Sequence, residues 1–343
     1  MTLESWLMKQ IISDLIDGKD LTANQASAAM VNILSGKCND SEIASFITLL
    51  RAKGETRVEL TALVQTMWAN MPDFGLVDNS DTIDTCGTGG SAFKTFNIST
   101  GVSFILTALG VKVAKHGNRA ASSKSGAADV LEELGYNINL EAKKCADLFN
   151  ETGFAFLLAP SYHPGMRFAK QPRSDLGVRT TFNFLGPLAN PFKAPIRLHG
   201  VSDHDMVERY ILTLKDLGVE KAIVFCGENM IDEILISSLT IGKRLVNGVI
   251  SDFTFDPVES GFSPTSDDEI AGGDPKENAE ILRDIFAGKP GPPRDVVVAN
   301  TSVAYSLAKD IDIASAKLEI ESVLDNKTVQ RAFDKIVERS NNI

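Results

Sequence analysis

The sequence predicts an α/β protein, with a small N-terminal helical domain followed by a larger domain built on a mostly parallel central sheet. Two observations lead to this prediction. Apolar residues recur at helical spacing through residues 1–71, whereas short apolar strands alternate with helices from Thr82 onward. Such alternation is typical of a parallel sheet covered by helices. We place the helical domain at 1–72, a linker from Pro72 to Asn79 and the α/β domain at 80–343.

Four short helices are predicted in the N-terminal domain. Gly36 and Gly54 lie where left-handed residues commonly end a helix. Three helices begin at a capping box, in which the cap side chain and a residue three positions later satisfy each other's backbone N–H groups: Thr22 with Gln25, Asn39 with Glu42, and Thr56 with Glu59. Because helices this short are marginal alone, they must pack on each other. The expected core residues are Trp6, Phe46 and Trp68.

Strands and helices alternate after the linker. The predicted strands are 81–85, 111–115, 154–158, 197–201, 221–226, 244–250 and 296–299. The predicted helices are 100–109, 124–134, 141–152, 204–217 and 232–239, with three more from residue 275 onward. Two short helical pieces within 164–190 interrupt the alternation, and residues 256–274, rich in Ser, Pro, Asp and Gly, are predicted to form a surface loop.

Composition and charge argue against several classes of protein. A formal net charge of -11 argues against general nucleic-acid binding. The N-terminus carries no basic region before an apolar run, and no stretch approaches the ~20 apolar residues of a membrane helix. The four cysteines lie far apart and form neither a disulfide framework nor a zinc motif. We therefore expect a cytoplasmic protein in a reducing compartment, without nucleic-acid or membrane partners.

One cationic stretch interrupts this acidic chain. Between Gly87 and Ala128 there is no Asp or Glu. The same stretch contains five cations, which are Lys94, Lys112, Lys115, Arg119 and Lys124. A cationic window in an acidic protein predicts a site for an anionic small molecule.

Two loops in this stretch follow predicted strands. Gly87, Gly89 and Gly90 follow the first strand, and glycines let backbone N–H groups converge on phosphate oxygens. Residues 97–100 then begin a helix, whose free N–H groups and dipole favour phosphate. The second loop, 115–126, follows the next strand. Ligands gather at the carboxyl ends of strands in open α/β sheets, so the two loops predict one phosphate site.

Neither loop matches a common nucleotide fingerprint. No Gly-Lys-Ser/Thr follows at the spacing of a Walker loop, and Ala92 stands where the third glycine of the dinucleotide fingerprint belongs. A Gly-rich turn after a strand is, taken alone, more often simply a turn. The pairing of the two loops is what favours a binding site.

Several motifs, in order, resemble those of the anthranilate phosphoribosyltransferase family. They are Gly87-Thr-Gly-Gly, Asn97-Ile-Ser-Thr, Lys115-His-Gly-Asn-Arg-Ala, Ala159-Pro-Ser-Tyr-His-Pro164, Phe182-Asn-Phe-Leu-Gly-Pro-Leu-Ala-Asn-Pro191 and Ile231-Asp-Glu233. The resemblance implies transfer of the 5-phosphoribosyl group from phosphoribosyl pyrophosphate (PRPP) to the amine of anthranilate, in tryptophan biosynthesis. It also implies Mg²⁺ as cofactor, a homodimer through the N-terminal helices, and a segment at 164–190 that returns to the helical domain.

The resemblance carries residue roles to the matching positions. The implied PRPP contacts are Gly87, Gly90, Ser91, Thr95, Asn97, Ile98, Ser99, Thr100, Lys115, His116, Gly117, Asn118, Arg119, Ala120, Ala121, Ser122 and Ser123. The implied anthranilate contacts are Gly87, Asn118, His163 and Arg173; arginine suits a carboxylate because two N–H groups meet two oxygens in one plane. The implied metal ligands are Ser99, Asp232 and Glu233, in keeping with the preference of Mg²⁺ for carboxylates, water and substrate phosphate.

The chain departs from the family pattern at two positions. Ser91 stands where the family usually has an aspartate, beside the implied pyrophosphate site. Ala127 stands where a serine often contacts phosphate. We expect the lost carboxylate at Ser91 to alter metal dependence or affinity.

Structural alternatives exist for most of these residues. Lys115 alone fits a solvated surface lysine, Arg119 a brace for its own loop, and Arg173 a partner of Asp175. Asp232 with Glu233 alone fits the solvated start of a helix. His116, His163, His199 and His204 each fit a structural role.

Two other functions fit the same fold. A nucleoside phosphorylase would use phosphate as the nucleophile, and a non-catalytic relative would bind nucleic acid. The motif that begins at Asn183 and the residue Asn118 argue against the first. The net charge and the Asp232–Glu233 pair argue against the second.

Overall fold

The computed structural model describes residues 3–91, 93–120 and 124–343, with the backbone alone for residues 3–6 and 229. Four helices form the N-terminal bundle: α1 (Leu3–Ile16), α2 (Ala23–Leu34), α3 (Asp40–Lys53) and α4 (Arg57–Ala69). All three predicted capping boxes are present at α2, α3 and α4. Phe46 is buried and Trp68 half-buried, whereas the side chain of Trp6 lies outside the described residues.

The glycines that follow these helices differ in conformation. Gly36 after α2 has a φ of 70°, as predicted for a left-handed residue. Gly54 is the C-cap of α3 and also has a positive φ, 88°, although its ψ of 120° differs from that of a left-handed helical residue.

A seven-stranded sheet forms the centre of the α/β part. Its strands are β1 (Thr82–Thr85), β2 (Lys112–Gly117), β3 (Phe154–Leu158), β4 (Ile196–Gly200), β5 (Lys221–Gly227), β6 (Thr240–Val246) and β7 (Val249–Phe255). The spatial order is β3-β2-β1-β4-β5-β6-β7, with β1 to β5 parallel and the last two antiparallel. The direction in which the strands are added reverses at β1, which makes the β1–β4 boundary the topological switch point.

The remaining helices cover the sheet and connect it to the bundle. Between β1 and β4 they are α5 (Ile98–Ala108), α6 (Ala127–Glu133), α7 (Ala142–Thr152), α8 (Ala159–Tyr162), α9 (Lys170–Leu176) and α10 (Phe182–Leu188), with a 3₁₀ helix at Pro164–Ala169. Later ones are α11 (His204–Asp216), α12 (Pro275–Phe286), α13 (Pro292–Lys309), α14 (Ile313–Asp325) and α15 (Thr328–Asn342). None of the helices in the described ranges has the length and apolar character needed to cross a bilayer.

The two faces of the sheet belong to different cores. On β5, Ile223 and Phe225 join the core formed with α5, α12 and α13, whereas Val224 and Cys226 join the core of the N-terminal bundle. This alternation follows from the two-residue period of a strand. The bundle therefore shares one continuous core with a face of the sheet. The α/β fold with an N-terminal bundle is confirmed.

The segment from the 3₁₀ helix to α10 packs on the bundle. Ala169, Phe182 and Leu185 are buried in the bundle core. The buried Thr181 hydroxyl donates to Glu55 Oε1 at 2.6 Å, which joins this segment to the loop between α3 and α4. These contacts support the assignment of 164–190 to the helical domain, while the boundaries 1–72 and 80–343 stay predictions.

The single strand predicted at 244–250 is wrong. The chain reverses inside it, and β6 and β7 form a hairpin over residues 240–255. Asn247 and Gly248 at the reversal have φ values of 49° and 80°, as a type I′ turn requires. An Asn-Gly pair between apolar residues is the sequence signal that the prediction passed over.

Two further predicted elements are also wrong. The strand at 296–299 lies inside α13, a helix buried on most of its surface, so its apolar run lacks the helical period. Pro292 and Pro293 occupy the first helical positions, where a missing N–H costs nothing. The helix at 232–239 is absent, because the chain crosses the strand ends there without regular secondary structure.

Candidate active site

A cleft of about 590 Å³ opens at the carboxyl ends of the strands, at the switch point. Most of the predicted site residues line it: Gly87, Gly90, Ser91, Thr95, Asn97, Ser99, Lys115, His116, Gly117, Asn118, Arg119, Ala120, Asp232 and Glu233. The side chains of Ile98 and Thr100 are buried within α5 instead. His163 and Arg173 do not form part of the wall. Ala121, Ser122 and Ser123 lie outside the described residues.

The glycine loop after β1 is folded onto Asp232. The Gly89 N–H donates to Asp232 Oδ2 at 2.6 Å. The Ser91 hydroxyl donates to Asp232 Oδ1 at 2.5 Å and accepts from the Asp232 N–H at 3.1 Å. A Cβ at Gly87 would lie 2.3 Å from Asp232 Oδ2, so glycine is required for this approach. The Gly89 N–H of this loop therefore receives an anionic oxygen at the mouth of the cleft.

Lys115 is a buried cation beneath both loops and is not a surface lysine. Its Nζ donates to the carbonyl of Thr85 at 2.9 Å and to Ser99 Oγ at 3.0 Å. Burial lowers the pKa of Lys115, while the nearby Cys86, Asp84 and Glu233 oppose that effect. The bond to Ser99 holds the ammonium group at the N-terminus of α5. Lysine, helix terminus and glycine loop thus converge on one point.

Asp232 and Glu233 stand at the end of β5 on an irregular segment. The segment is placed there because the Gly227 N–H donates to the Ile231 carbonyl at 2.8 Å. A Cβ at Gly200 would lie 1.9 Å from the Asp232 carbonyl oxygen, so the end of β4 also has to be glycine. The pair is therefore not the solvated start of a helix. Burial, followed by the charge of Asp232, raises the pKa of Glu233 to about 8.

The chemistry of these carboxylates fits a Mg²⁺ ion. Asp232, Glu233 and Ser99 line the same cleft and offer only hard oxygen donors. Within the described ranges no three His, Cys, Asp or Glu side chains cluster as a complete ligand set. Mg²⁺ commonly takes one or two carboxylates and completes its shell with water and substrate phosphate. The donor set is of that kind.

A buried charged cluster lies beneath the cleft. Arg197 Nη1 donates to Asp84 Oδ2 at 3.0 Å, and His199 Nε2 lies 3.9 Å from the same oxygen. The other oxygen accepts the backbone N–H of His116 at 3.2 Å. Burial alone would raise the pKa of Asp84, but the His199 ring and the Arg197 charge together lower it to about 2. Asp84 therefore stays ionised and fixes the backbone next to Lys115.

Two histidines behind the cleft are buried and neutral. His116 Nδ1 donates to the Gly186 carbonyl at 2.8 Å, and His163 Nε2 donates to the Ala189 carbonyl at 3.0 Å. Their rings meet edge to face with centroids 5.4 Å apart. Burial lowers the pKa of both, that of His163 to about 3. The remaining nitrogen of each ring has no hydrogen-bond partner among the described residues.

Neutral His163 makes the fold sensitive to acid. Its pKa is about 3 when folded, because of burial and then the neighbouring His116, against an ordinary value of 6.5. Between these values the unfolded state binds a proton that the folded state excludes. The free energy of unfolding therefore has its full value above about pH 6.5 and falls as the pH drops toward 3. By pH 5 the loss amounts to about 2 kcal/mol. We expect the unfolding free energy of the unsubstituted chain, measured by urea denaturation, to fall between pH 7.5 and pH 5. In His163→Gln the fall over the same range should be smaller by about 2 kcal/mol.

The exposed His204 provides the matched control for this experiment. His204→Gln makes the same substitution at an exposed position and gives the reference profile for the loss of one imidazole. A His163→Gln profile parallel to that of the unsubstituted chain would show that His163 is protonated in the folded state and that the assignment is wrong.

Arg173 on α9 is a half-buried guanidinium with no hydrogen bond or ion pair among the described residues. Burial lowers its pKa. The predicted alternative, a pair with Asp175, is wrong, because Asp175 Oδ1 accepts from Gln171 Nε2 at 2.6 Å instead. Arg173 therefore remains available to an anion.

Arg119 braces its own loop, as the structural alternative proposed. Its guanidinium binds Glu132 through two nitrogens at 2.5 and 2.8 Å and Asp129 at 3.1 Å. Asp129 Oδ2 also accepts the N–H groups of Ala120 and Gly126 at 2.8 and 2.9 Å. These bonds hold the second loop against α6. The guanidinium of Arg119 is therefore already paired, which does not favour the PRPP contact implied for it.

Arg179 and Asn183 are among the residues of the cleft wall that the sequence analysis missed. Arg179 donates to Ser202 Oγ and, at 3.4 Å, to the Thr88 carbonyl, and its guanidinium lies 4.9 Å from the centre of the Phe184 ring. Asn183 lines the same wall. The signal for Asn183 was the Phe182–Pro191 motif, in which it was quoted without a site role, whereas Arg179 lies before that motif and had no signal.

Family models match almost the whole chain. One described as "Glycosyl transferase family, helical bundle domain" matches residues 9–71, and one described as "Glycosyl transferase family, a/b domain" matches residues 79–328. A protein of Clostridium kluyveri named anthranilate phosphoribosyltransferase is 41% identical over 336 residues, covering 98% of this chain and 100% of its own length. A protein of the same name from Acetivibrio thermocellus is 40% identical over 337 residues, covering 98% and 97%.

Solved structures agree with these relatives. The anthranilate phosphoribosyltransferase of Thermus thermophilus superposes with a TM-score of 0.89 at 30% identity, covering 96% of this chain and 99% of its own. The enzyme of Saccharomyces cerevisiae in complex with PRPP and Mg superposes with a TM-score of 0.87 at 25% identity, covering 98% of each chain. None of these similarities favours a nucleoside phosphorylase or a nucleic-acid-binding protein.

Proposed function

This chain belongs to the anthranilate phosphoribosyltransferase family, and from that premise we propose how its own residues transfer the phosphoribosyl group of PRPP to the amine of anthranilate. One observation carries the proposal. A buried lysine, a glycine loop, a helix N-terminus and two adjacent carboxylates meet in one cleft at the switch point. That combination suits a substrate that carries both a pyrophosphate and a metal ion.

The PRPP phosphates would be held by backbone N–H groups and by Lys115. The Gly89 N–H already binds a carboxylate oxygen, which supports an anion-receiving role for the loop. Ser99 and the first turn of α5 would supply further N–H groups, favoured by the helix dipole. Because Lys115 is fixed by Thr85 and Ser99, its charge is positioned before the substrate arrives. Preorganised charge of this kind stabilises the departing pyrophosphate.

Asp232, Glu233 and Ser99 would hold Mg²⁺. The ion supplies positive charge that neutralises the pyrophosphate as it leaves. The chain's own contribution is to orient the carboxylates, and Ser91 does this through its two bonds to Asp232. We therefore propose that the hydroxyl at position 91, where the family usually has a carboxylate, serves as a support for a metal ligand.

Anthranilate would be recognised by its carboxylate. The guanidinium of Arg173, which has no hydrogen bond or ion pair among the described residues, suits that group, and Asn118 and the neutral His163 would complete the binding surface. The aromatic amine is neutral at pH 7 and needs no strong base to become a nucleophile. The two neutral imidazoles, which would otherwise be the natural bases, agree with this requirement.

A fluorescence assay tests the function directly. Mixing the protein with anthranilate, PRPP and Mg²⁺ should give a loss of anthranilate fluorescence that depends on both protein and metal. Omission of PRPP, and addition of EDTA, are the controls. No loss with protein that is folded by circular dichroism would overturn the proposal.

We further propose a cytoplasmic homodimer that forms through the N-terminal helices. Ile16, Val31 and Val58 are exposed apolar residues on α1, α2 and α4. Light scattering should give twice the chain mass of 37.0 kDa. A mass of one chain at micromolar concentration would contradict the dimer.

A further inference from the structure

Asn300 on α13 is a buried polar residue in apolar surroundings. The residues that precede it on the helix, Val296, Val297 and Val298, all belong to the core. The Asn300 side chain is only 2% exposed. A buried amide in such a place costs free energy unless its hydrogen bonds are made, so the hydrogen-bond partners of Asn300 indicate its structural role.

The partners of Asn300 lie on the segment that carries the two carboxylates. Its Nδ2 donates to the Ile234 carbonyl at 2.7 Å, and its Oδ1 accepts the Ile234 N–H at 3.1 Å. The second proton of Nδ2 goes to the Val296 carbonyl at 2.8 Å, one turn back on the same helix. One side chain therefore satisfies both backbone groups of the residue that directly follows Glu233.

This clamp matters because the segment has no secondary structure of its own. Residues 231–236 cross the strand ends without helical or strand pairing over most of their length. Their position rests on separate contacts, which are the Gly227–Ile231 bond before the carboxylates, the Ser91 bonds at Asp232 and the Asn300 bonds after Glu233. Asn300 is the contact on the core side.

The same helix also supports the third metal candidate. Val297 of α13 lies against Gly101 of α5, where an added Cβ would be 3.3 Å from Val297 Cγ1. Ser99 is on the first turn of α5. Helix α13 is thus a common platform behind Ser99 and behind the Asp232–Glu233 segment, and it sets the distance between them.

We propose that Asn300 is a positioning residue that fixes the metal-binding carboxylates relative to Ser99; this inference rests on the proposed function. Residues that orient metal ligands from behind commonly change metal affinity by about 10- to 100-fold when they are replaced. Asn300 does not line the 590 Å³ cleft, so we expect its effect to fall on the metal and to leave anthranilate binding intact.

The test compares two substitutions on one helix. Asn300→Leu keeps the side-chain size and removes all three hydrogen bonds. Ser302→Ala is the matched control, because the buried Ser302 bonds only to the Val298 carbonyl within α13 among the described residues. We expect Asn300→Leu to raise the Mg²⁺ concentration for half-maximal turnover at least about 10-fold. The anthranilate KM should stay within about three-fold, and Ser302→Ala should change neither quantity.

Two readouts do not depend on turnover. Binding of Mn²⁺ in the presence of PRPP, followed by the loss of the free-ion signal in electron paramagnetic resonance, should weaken in Asn300→Leu alone. Hydrogen exchange without metal should show a slow Ile234 amide in the unsubstituted chain and in Ser302→Ala, and a fast one in Asn300→Leu. Equal metal dependence in both variants, or a fast Ile234 amide in the unsubstituted chain, would overturn the proposal.

A second variant guards against loss of folding. If Asn300→Leu does not fold, Asn300→Ser is used, because its hydroxyl can bond back to the Val296 carbonyl but cannot reach Ile234. The outcomes that support or overturn the proposal are the same for Asn300→Ser as for Asn300→Leu. An unsubstituted chain without transferase activity would mean that the proposed function has failed, whereas an active chain whose metal dependence ignores Asn300 would mean that only this inference has failed.

Discussion

Replacing Asp232 by Asn and Glu233 by Gln together lowers Mg²⁺-dependent turnover by at least about 10³-fold, because metal stabilisation of transition-state charge is worth several kcal/mol. The fold should survive. The amide introduced by Asp232→Asn can still accept the Gly89 N–H and contact Ser91, so the glycine loop keeps its position. The double change also removes the Glu233 carboxyl, whose pKa is raised first by burial and then by the charge of Asp232, so the melting temperature should stay equal or rise. Steady-state turnover measures the loss of activity, and thermal melting of the same variant measures whether the fold survives.

A nearby pair of exposed acids provides the control for this experiment. Asp205→Asn with Glu228→Gln makes the same two carboxyl-to-amide changes at exposed positions outside the cleft wall. Turnover of this variant should remain within about three-fold of the unsubstituted chain, since screened surface charges contribute little. Full activity of the Asp232→Asn/Glu233→Gln variant would move the metal site elsewhere.

Arg173→Ala should raise the KM for anthranilate by about 10- to 100-fold, because a charged hydrogen bond to a carboxylate is worth about 1.5–3 kcal/mol. The KM for PRPP should hardly change. Aniline, which has the amine but no carboxylate, sharpens the test. If Arg173 binds the carboxylate, the unsubstituted chain uses aniline poorly and Arg173→Ala uses it equally poorly, so the change affects only the substrate that carries the carboxylate.

The neighbouring arginine provides the comparison. Arg167 is exposed and stacks on Phe168, with its guanidinium 4.5 Å from the ring centre. Arg167→Ala should leave the KM for anthranilate unchanged. Arg173→Lys should recover only part of the lost affinity, since one ammonium cannot match two carboxylate oxygens in a plane. An unchanged KM for anthranilate in Arg173→Ala would contradict the assignment of Arg173 as the contact of the anthranilate carboxylate.

Local signals in the sequence were sufficient for much of the fold. Capping boxes at Thr22, Asn39 and Thr56 involve residues three positions apart, so their chemistry is readable without tertiary information. The errors arose where burial removed the pattern. Helix α13 is apolar on nearly every side and resembles a buried strand over 296–299. Residues 232–239 have apolar residues at helical spacing, but their backbone is held across the strand ends by partners far away in sequence.

The candidate site was predictable to the extent that its residues lie in one stretch. Gly87, Gly90 and Lys115 belong to two consecutive strand ends, and they do line one cleft. Lys112 does not, because it pairs with Asp78. Arg179 reaches the Thr88 carbonyl from 91 positions away, and Asn300 reaches Ile234 from 66. Nothing in the local sequence encodes such contacts, because they depend on the order of strands and on the path of the segment that returns to the bundle.

The returning segment 164–188 has a consequence for synthesis on the ribosome. The bundle core requires Phe182 and Leu185, which follow α4 by more than 110 positions. At roughly 5–20 residues per second, the emerging N-terminal helices wait on the order of 6–23 s for these partners. During that interval their apolar faces are bare, and they are natural clients for chaperones that bind nascent chains. A ribosome stalled shortly after α4 would therefore carry an incomplete bundle, whereas one stalled well beyond β7 would carry all the elements that close it.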